Sequence, residues 1–456
     1  MLWTQRDQIQ AYQFLRRRLV SALVSADANS PVSPSRRLVA GVAVGVGVAL
    51  LVTAGFGVAG VLSPTGDADW KQGGQVLVEK ETGARFVLGQ DGLLHPVLNY
   101  ASARLLAGGN GDKTTTVPAS TLAGAARGHA LGIAGAPDSL PAADHLLPPA
   151  LTSCSWSSPD APTAAEPVST VLLGVSGGGR PLAPGQGLLV RSRSGDRYLI
   201  ASGRRYRLPE DAALTALGYD GLPVLPVAGT WVDTVPAGQD LGLVSVPDSG
   251  ASGPTVGGRS TRVGQVLSAD NGVFYLVRKD SLATITQTEA RLVVGNPANT
   301  GTRTVPVSTA DIAAVPRAQA STVDENAGGY PRRVPAVDPA STGRLALCAA
   351  GGQITLGPAV PLPAGARTMP VPGRTDDRVA NEVYVPPGSG ALVNDGAAVY
   401  LVTDTGTKYP VSGADAVKAL GYGSVSRQGV STSLLSLLPT GPALDPRAAQ
   451  RSTDGG

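Results

Sequence analysis

VLVEKETGARFVLGQDGLLHPV (76–97), LLVRSRSGDRYLIASGRRYRLP (188–209), QVLSADNGVFYLVRKDSLATIT (265–286) and ALVNDGAAVYLVTDTGTKYPV (391–411) share one pattern. Each holds an apolar strand, a polar turn containing Gly, and a second strand of aromatic-apolar-apolar type. The second-strand cores are Phe86-Val87-Leu88, Tyr198-Leu199-Ile200, Tyr275-Leu276-Val277 and Tyr400-Leu401-Val402. A Gly ahead of each aromatic supplies the hairpin turn. Two of the stretches agree further on. Tyr206-Arg207-Leu208-Pro209 precedes DAALTALGYDG, and Tyr409-Pro410-Val411 precedes ADAVKALGYGS. A short helix is predicted at Ala212–Leu217 and at Asp415–Leu420, stopped by Gly. NYASARLLAG gives the first stretch a related tail. The unit is therefore a hairpin, a further short strand, a helix and an exit strand. One such unit cannot bury its own face, so the units must pack on each other or on a central body.

Composition agrees with short strands and many turns. The 456 residues include 59 Gly and 37 Pro, both of which break helices, and only 16% are charged. The net charge of +3 is unevenly spread. Residues 1–37 carry six Arg against Asp7 and Asp27, a net +4, so the remainder sums to −1. A near-neutral body with three Trp and three Phe offers no basic groove with stacking aromatics, which excludes nucleic acid as a partner.

From Leu38 to Leu62 the chain runs LVAGVAVGVGVALLVTAGFGVAGVL, without a charge. As a helix its 25 residues span about 37 Å, against a hydrocarbon core of about 30 Å. Arg36 and Arg37 precede it, which predicts a cytoplasmic amino terminus. The leader and the apolar run are both too long for a cleaved signal peptide. The expectation is a single uncleaved transmembrane helix with an exported body.

In the leader, Ile9, Tyr12, Leu15, Leu19 and Leu23 recur at helical spacing on one face. Thr4 and Asp7 resemble a capping arrangement. Arg16, Arg17 and Arg18 cluster near the middle. Two readings stand side by side: a basic helix lying on anionic lipid, or a docking helix for a cytoplasmic partner. SADANSPVSPS (25–35) reads as a flexible linker.

The two cysteines, Cys154 and Cys348, fall in the exported region, where a pair predicts one bridge. They lie in less regular stretches rich in Pro, Ala and Ser. The resulting fold class is mainly β with short helices (α+β). One transmembrane helix leads into an elongated exported body of four β-rich repeats around a central disulfide-linked domain. The predicted boundaries are 1–37 leader and linker, 38–62 transmembrane helix and 63–112 first repeat. Residues 113–183 then form the first part of the central domain, 184–245 the second repeat and 246–295 the third. Residues 296–385 complete the central domain, 386–439 form the fourth repeat, and 440–456 read as a disordered tail.

These features together resemble the EccB family, membrane core components of the type VII (ESX) secretion systems of actinobacteria. The residues that carry the resemblance are TQRDQIQAYQFLRRRLVSAL, the apolar segment after Arg36-Arg37, and DWKQGGQVLVEKETGARFVLGQDGLLHPVLNYASARLLAG (69–108). The paired cysteines and the repeated Ala-Leu-Gly-Tyr units extend it through the body. The resemblance implies a structural subunit that links a cytoplasmic motor to an extracytoplasmic assembly. Its implied partners are the EccC motor ATPase, EccD, EccE, a mycosin protease and sister copies of the exported domain.

Chemistry is sparse. Some members of that family are called ATPases, but a P-loop needs Gly-Lys-Ser/Thr. None of Lys71, Lys80, Lys113, Lys279, Lys408 and Lys418 follows a Gly. Gly174-Val175-Ser176-Gly177-Gly178 matches the nucleophile elbow formally, yet Gly179, Pro181 and Pro184 oppose the helix that must follow the Ser. His95, His129 and His145 show no metal-ligand spacing with the cysteines. No cofactor, catalytic residue or metal ligand is expected. The alternatives to a structural subunit are a membrane-bound ATP hydrolase with a non-Walker site and a cell-wall-binding module.

Overall fold

A computed structural model describes residues 4–25, 34–62, 70–109, 113–148, 150–156, 167–318, 328–338, 345–371, 374 and 378–452; side chains at 24–25, 34–38 and 55–62 lie outside the described ones. Residues 1–70 with 117–124 form one compact unit, and 71–116 with 125–456 a second.

The amino-terminal unit holds the leader helix Gln5–Ser25 and the long helix Pro34–Leu62. The Asp7 carboxylate accepts from Thr4 N (3.2 Å) and Thr4 Oγ1 (2.6 Å), which closes the leader's first turn. Those two bonds hold the Asp7 carboxyl below the usual carboxylate range. The expected membrane segment, 38–62, lies inside the 29-residue helix. Its described residues, 39–54, are apolar except Thr53 and exposed except Gly47, and Thr53 Oγ1 donates back to Ala49 O (2.7 Å). Among the described residues no helix is long and apolar enough to cross a membrane.

The second unit is built on sheets. Four of them share one order, third-second-first-fourth; the second sheet adds a fifth strand, Ala336–Val337, which also pairs with its first strand. In the first sheet the strands are Val76–Glu79, Arg85–Leu88, Leu94–Pro96 and Thr114–Val117. In the second they are Gln186–Arg191, Arg197–Ala201, Arg204–Leu208 and Leu225–Pro226. The third uses Val266–Ala269, Phe274–Val277, Leu282–Ile285 and Thr304–Val307. The fourth uses Ala391–Asn394, Val399–Val402, Lys408–Val411 and Gln428–Gly429. All four expected aromatic cores fall on second strands. Each sheet's first three strands form an antiparallel meander. A helix then carries the chain over, and the fourth strand returns beside the first, parallel to it in sheets two, three and four. The crossover helices are Tyr100–Ala107, Asp211–Leu217, Gln287–Val294 and Gly413–Ala419. Gly218 (φ 77°) and Gly421 (φ 88°) end the second and fourth, as the Ala-Leu-Gly-Tyr spacing predicts.

The sheets are covered on both faces, which is why their first strands read as apolar runs rather than alternations. On the second sheet, Leu189, Leu199, Tyr206 and Leu208 face its own helix. Leu188, Val190 and Ile200 face Trp231 and Val232, together with Leu347, Ile354 and Leu356 of a central sheet. The sheets also pair through their helices. Ala101 and Leu105 of the first share a core with Leu401, Tyr409, Val417 and Leu420 of the fourth. Leu292 of the third shares a core with Leu217 and Tyr219 of the second.

Two expectations are corrected. Thr114–Val117 belongs to the first four-stranded sheet, and Thr304–Val307 to the third, although both lie past the boundaries predicted for those repeats. Their β-branched Thr and Val favour extended backbone, but the runs are short and largely exposed, so pairing with a distant first strand fixes them as strands. The stretch 440–456, expected as a disordered tail, is packed as far as 452. Leu444 and Ala449 are buried in the core shared by the first and fourth sheets, and Pro446–Ala449 is helical. Its apolar residues are few but fill the seam between two helices.

Candidate functional site

A seven-stranded sheet forms the middle of the second unit. Its order is Met369–Pro370, Glu382–Tyr384, Val168–Leu173, Leu151–Trp156, Ala346–Ala350, Gln353–Gly357, Arg180–Pro181. Leu151–Trp156 and Ala346–Ala350 are its antiparallel centre, with Cys154 directly opposite Cys348. The two are joined by a disulfide across 194 residues of sequence, with Cα atoms 4.1 Å apart. Outer strands are exchanged between the two halves of the chain. Arg180–Pro181, from the first half of the chain, pairs with Gln353–Gly357 of the second. Glu382–Tyr384, from the second half, pairs with Val168–Leu173 of the first.

The strand LTSCSW (151–156) is polar yet buried, so each hydroxyl needs a partner. Thr152 Oγ1 donates to Val175 O (2.6 Å), and Ser153 Oγ lies 2.7 Å from Thr234 Oγ1. Ser155 Oγ accepts from Ala228 N (2.9 Å), and Trp231 Nε1 donates to Ser153 O (3.2 Å). The helix Gly229–Thr234, which follows the second sheet, is thereby stitched to the cysteine strand. On the far side, Asn381 Oδ1 accepts from both the amide and the hydroxyl of Ser169 (3.0 Å each).

Two further segments tie sheets to one another. Gly135-Ala136-Pro137-Asp138-Ser139-Leu140-Pro141-Ala142-Ala143-Asp144 and Gly329-Tyr330-Pro331-Arg332-Arg333-Val334-Pro335-Ala336-Val337-Asp338 agree at Gly, Pro, Pro, Ala and Asp. Pro141 and Pro335 each stand 13 residues before a cysteine. Tyr422, behind the fourth sheet's helix, donates its buried hydroxyl to Pro141 O (2.7 Å). Tyr219, behind the second sheet's helix, donates to Pro335 O (2.8 Å). Burial pushes both phenols up. The first strap therefore holds the fourth sheet to the first, and the second holds the second sheet to the third. Sequence reasoning passed over both straps as irregular; the signal that finds them is the repeated Gly-x-Pro-x₃-Pro-Ala-x-Asp.

Of the predicted site residues, Cys154 and Cys348 meet in the central sheet. Ile9, Tyr12, Leu15, Leu19 and Leu23 share one face of the leader helix and are 57–82% exposed. Phe14 is exposed too, with the Arg18 guanidinium 5.6 Å from its ring centre. Ser176 follows strand Val168–Leu173 and precedes strand Arg180–Pro181, so no helix supports it as an elbow nucleophile. His95 is a buried imidazole, its Nδ1 2.8 Å from His129 O and its Nε2 3.0 Å from Asp91 Oδ2. Among the described residues no group of His, Cys, Asp or Glu is placed to hold a metal ion.

Residues 2–455 match the family described as "Type VII secretion system ESX-1, transport TM domain B". The chain belongs to this EccB family. Its relatives include the ESX-3 secretion system ATPase EccB3 of Mycolicibacterium smegmatis, 29% identical over 96% of this chain and 89% of the relative. The ESX-5 secretion system ATPase EccB5 of Mycobacterium tuberculosis (strain H37Rv) is 29% identical over 96% of this chain and 91% of its own length. Among solved structures, a chain of an intact ESX-5 inner membrane complex is 26% identical with a TM-score of 0.66, covering 100% of this chain and 97% of that one. A chain of the EccB3 dimer from the ESX-3 core complex matches with a TM-score of 0.66 and 26% identity, covering 82% of this chain and 99% of that one. The EccB family and its fold thus extend over the leader, the central sheet and all four sheets of shared strand order.

Proposed function

We propose that this chain is the structural, single-pass membrane subunit of a type VII secretion complex, linking a cytoplasmic motor to an extracytoplasmic assembly. The observation that carries the reading is the match over the whole chain to a subunit inside an ESX-5 inner membrane complex. The span is Leu38–Leu62, oriented by Arg36 and Arg37 with the leader inside. The exposed apolar face of the leader, from Ile9 to Leu23, docks on EccC, EccD or EccE. The four sheets of shared strand order are repeats around a disulfide-linked centre. They form the outer assembly with sister copies and a mycosin protease, in keeping with a periplasmic assembly in the ESX-5 complex and a dimer in ESX-3.

The test is to purify the tagged chain from membranes in mild detergent and identify what comes with it. The reading expects the other membrane subunits in fixed ratio. A chain that elutes alone, under conditions that keep the other subunits associated, overturns it. The names of the relatives favour a second reading, ATP hydrolysis. Steady ATP turnover by the chain freed of any motor subunit would establish that one.

A further inference from the structure

The two straps do the same mechanical task with different chemistry underneath. In the first sheet the helix Tyr100–Ala107 is capped by Asn99, whose side chain accepts from Ser102 N. In the third the helix Gln287–Val294 is capped by Thr286, whose side chain accepts from Glu289 N. Ser102 and Glu289 are thus the same position of one structural unit. Ser102 is buried and satisfied: its Oγ accepts from Ile133 N (2.9 Å), just ahead of the first strap. Glu289 is also buried, but among the described residues its Oε2 has no hydrogen-bond partner, and neither has the neighbouring Thr288 Oγ1.

The second strap, Gly328–Asp338, lies over this end of the helix. Gln287 N donates to Arg332 O (3.0 Å) from the third sheet's side. From the second sheet's side, Gln239 N donates to Gly328 O (2.8 Å) and Tyr219 Oη to Pro335 O (2.8 Å). Ala336 N and Asp338 N donate to Gly185 O and Gly187 O (2.9 Å each). The charge that reaches Glu289 is that of Arg278, in the connection between the third sheet's second and third strands. From the strap the titratable group coupled to it is Tyr330, which stands where the first strap has Ala136. Burial, then the Glu289 charge, holds the Tyr330 proton more tightly. Arg332 meets the helix through its backbone carbonyl.

We propose that Glu289 makes the second strap a pH-responsive clasp between the second and third sheets, closed over the neutral acid and loosened when the carboxyl ionises. A neutral carboxyl is tolerated under the strap, whereas a carboxylate with one unpartnered oxygen is costly there. Burial, against the weaker pull of Arg278, pushes the Glu289 carboxyl up from 4.5 to about 7. Between those values the closed state binds the extra proton. Closure is therefore fully favoured at acid pH and weakens as pH rises through about 7. The first strap, with a hydroxyl at the same position, carries no such dependence.

Hydrogen exchange of the full-length protein, read by mass spectrometry and normalised for intrinsic exchange, tests this at pH 5.5 and 8.0. Opening at peptides spanning 328–338 should increase about 20-fold from the lower pH to the higher, while peptides spanning 133–148 of the same molecule stay level. Glu289→Gln should remove the difference and keep 328–338 protected at both values. The clasp is overturned if the second strap responds no more than the first in the wild-type protein, a comparison that needs no variant to fold. It is overturned equally if Glu289→Gln retains the response.

Discussion

Gly441 lies against the ring of Tyr409, so close that a β-carbon there would stand inside the ring's van der Waals envelope. Its amide donates to Lys408 O (2.9 Å), the carbonyl just before the ring. The same relation recurs in the chain. Gly238 N donates to Arg205 O (2.7 Å) and faces the Tyr206 ring, and Gly128 N donates to Leu94 O (3.2 Å) and faces the His95 ring. In the third sheet the residue in the ring's place is Ala283, and the facing residue, Ala318, has a β-carbon. Ring and glycine vary together because the space between third strand and wrapping chain admits one side chain.

Gly441→Ala should therefore destabilise the protein by about 1–3 kcal/mol, the cost of overpacking a filled site. In a Tyr409→Ala background the same change should cost only a few tenths, because the ring it collides with has gone. Denaturant unfolding of the two single variants and the double variant measures the coupling. Additive effects would mean that the ring does not set the glycine.

The Cys154–Cys348 bridge joins neighbouring strands of one sheet but closes a loop of 194 residues. Mass spectrometry of the non-reduced protein should find a single linked peptide pair. Replacing both cysteines with Ser should lower stability by at most about 5 kcal/mol on the loop-entropy account. The central sheet should remain paired, since its hydrogen bonds and buried hydroxyls are independent of the sulfurs. Two freely alkylated thiols in the native protein would contradict the bridge.

Lys408 is buried, with Nζ donating to Leu435 O and Leu438 O (2.6 Å each) at the end of the Thr432–Leu435 helix. Burial pushes its ammonium down from 10.5 to about 8, despite the opposing pull of Asp395. Above pH 8 the folded chain releases this proton while the unfolded chain keeps it up to about 10.5. The contribution of Lys408 to stability therefore rises with pH across that window. Lys408→Met should flatten this rise. At neutral pH it should cost about 1–3 kcal/mol, because two carbonyls lose their donor. Unfolding curves at pH 7, 8.5 and 10 separate the two effects.

The leader's exposed apolar face and its Arg16-Arg17-Arg18 cluster make different demands. Docking should fail when Tyr12 and Leu15 both become Ala, since large-to-small changes in a buried contact cost about 2–5 kcal/mol each. Attraction to anionic lipid should follow the Arg charge at about 1 kcal/mol per residue and weaken with salt. Tyr12→Ala with Leu15→Ala should release the chain from its complex and stop secretion while the protein stays in the membrane. Unchanged copurification and export would leave the leader as a membrane-surface helix.

What the sequence determined by itself is what short-range physics can write. Apolar runs closed by a turn Gly specify the hairpins around Phe86, Tyr198, Tyr275 and Tyr400. Ala-Leu-Gly-Tyr specifies two helices and their stops. Spacing alone puts Ile9, Tyr12, Leu15, Leu19 and Leu23 on one helical face. Tertiary structure decided everything whose partner is far away. Thr114–Val117 and Thr304–Val307 hold β-branched residues that favour extended backbone, but they are sheet strands because a helix crossover brings them beside a first strand. Cys154 meets Cys348 in direct register because two halves of the chain share one sheet and exchange outer strands. The straps are fixed by hydroxyl-to-carbonyl bonds from Tyr219 and Tyr422, and Leu444 orders the carboxy-terminal stretch by filling a seam between two sheets. Turn and helix signals act over a few residues, whereas these contacts gain their free energy from surfaces that exist only once the sheets have assembled.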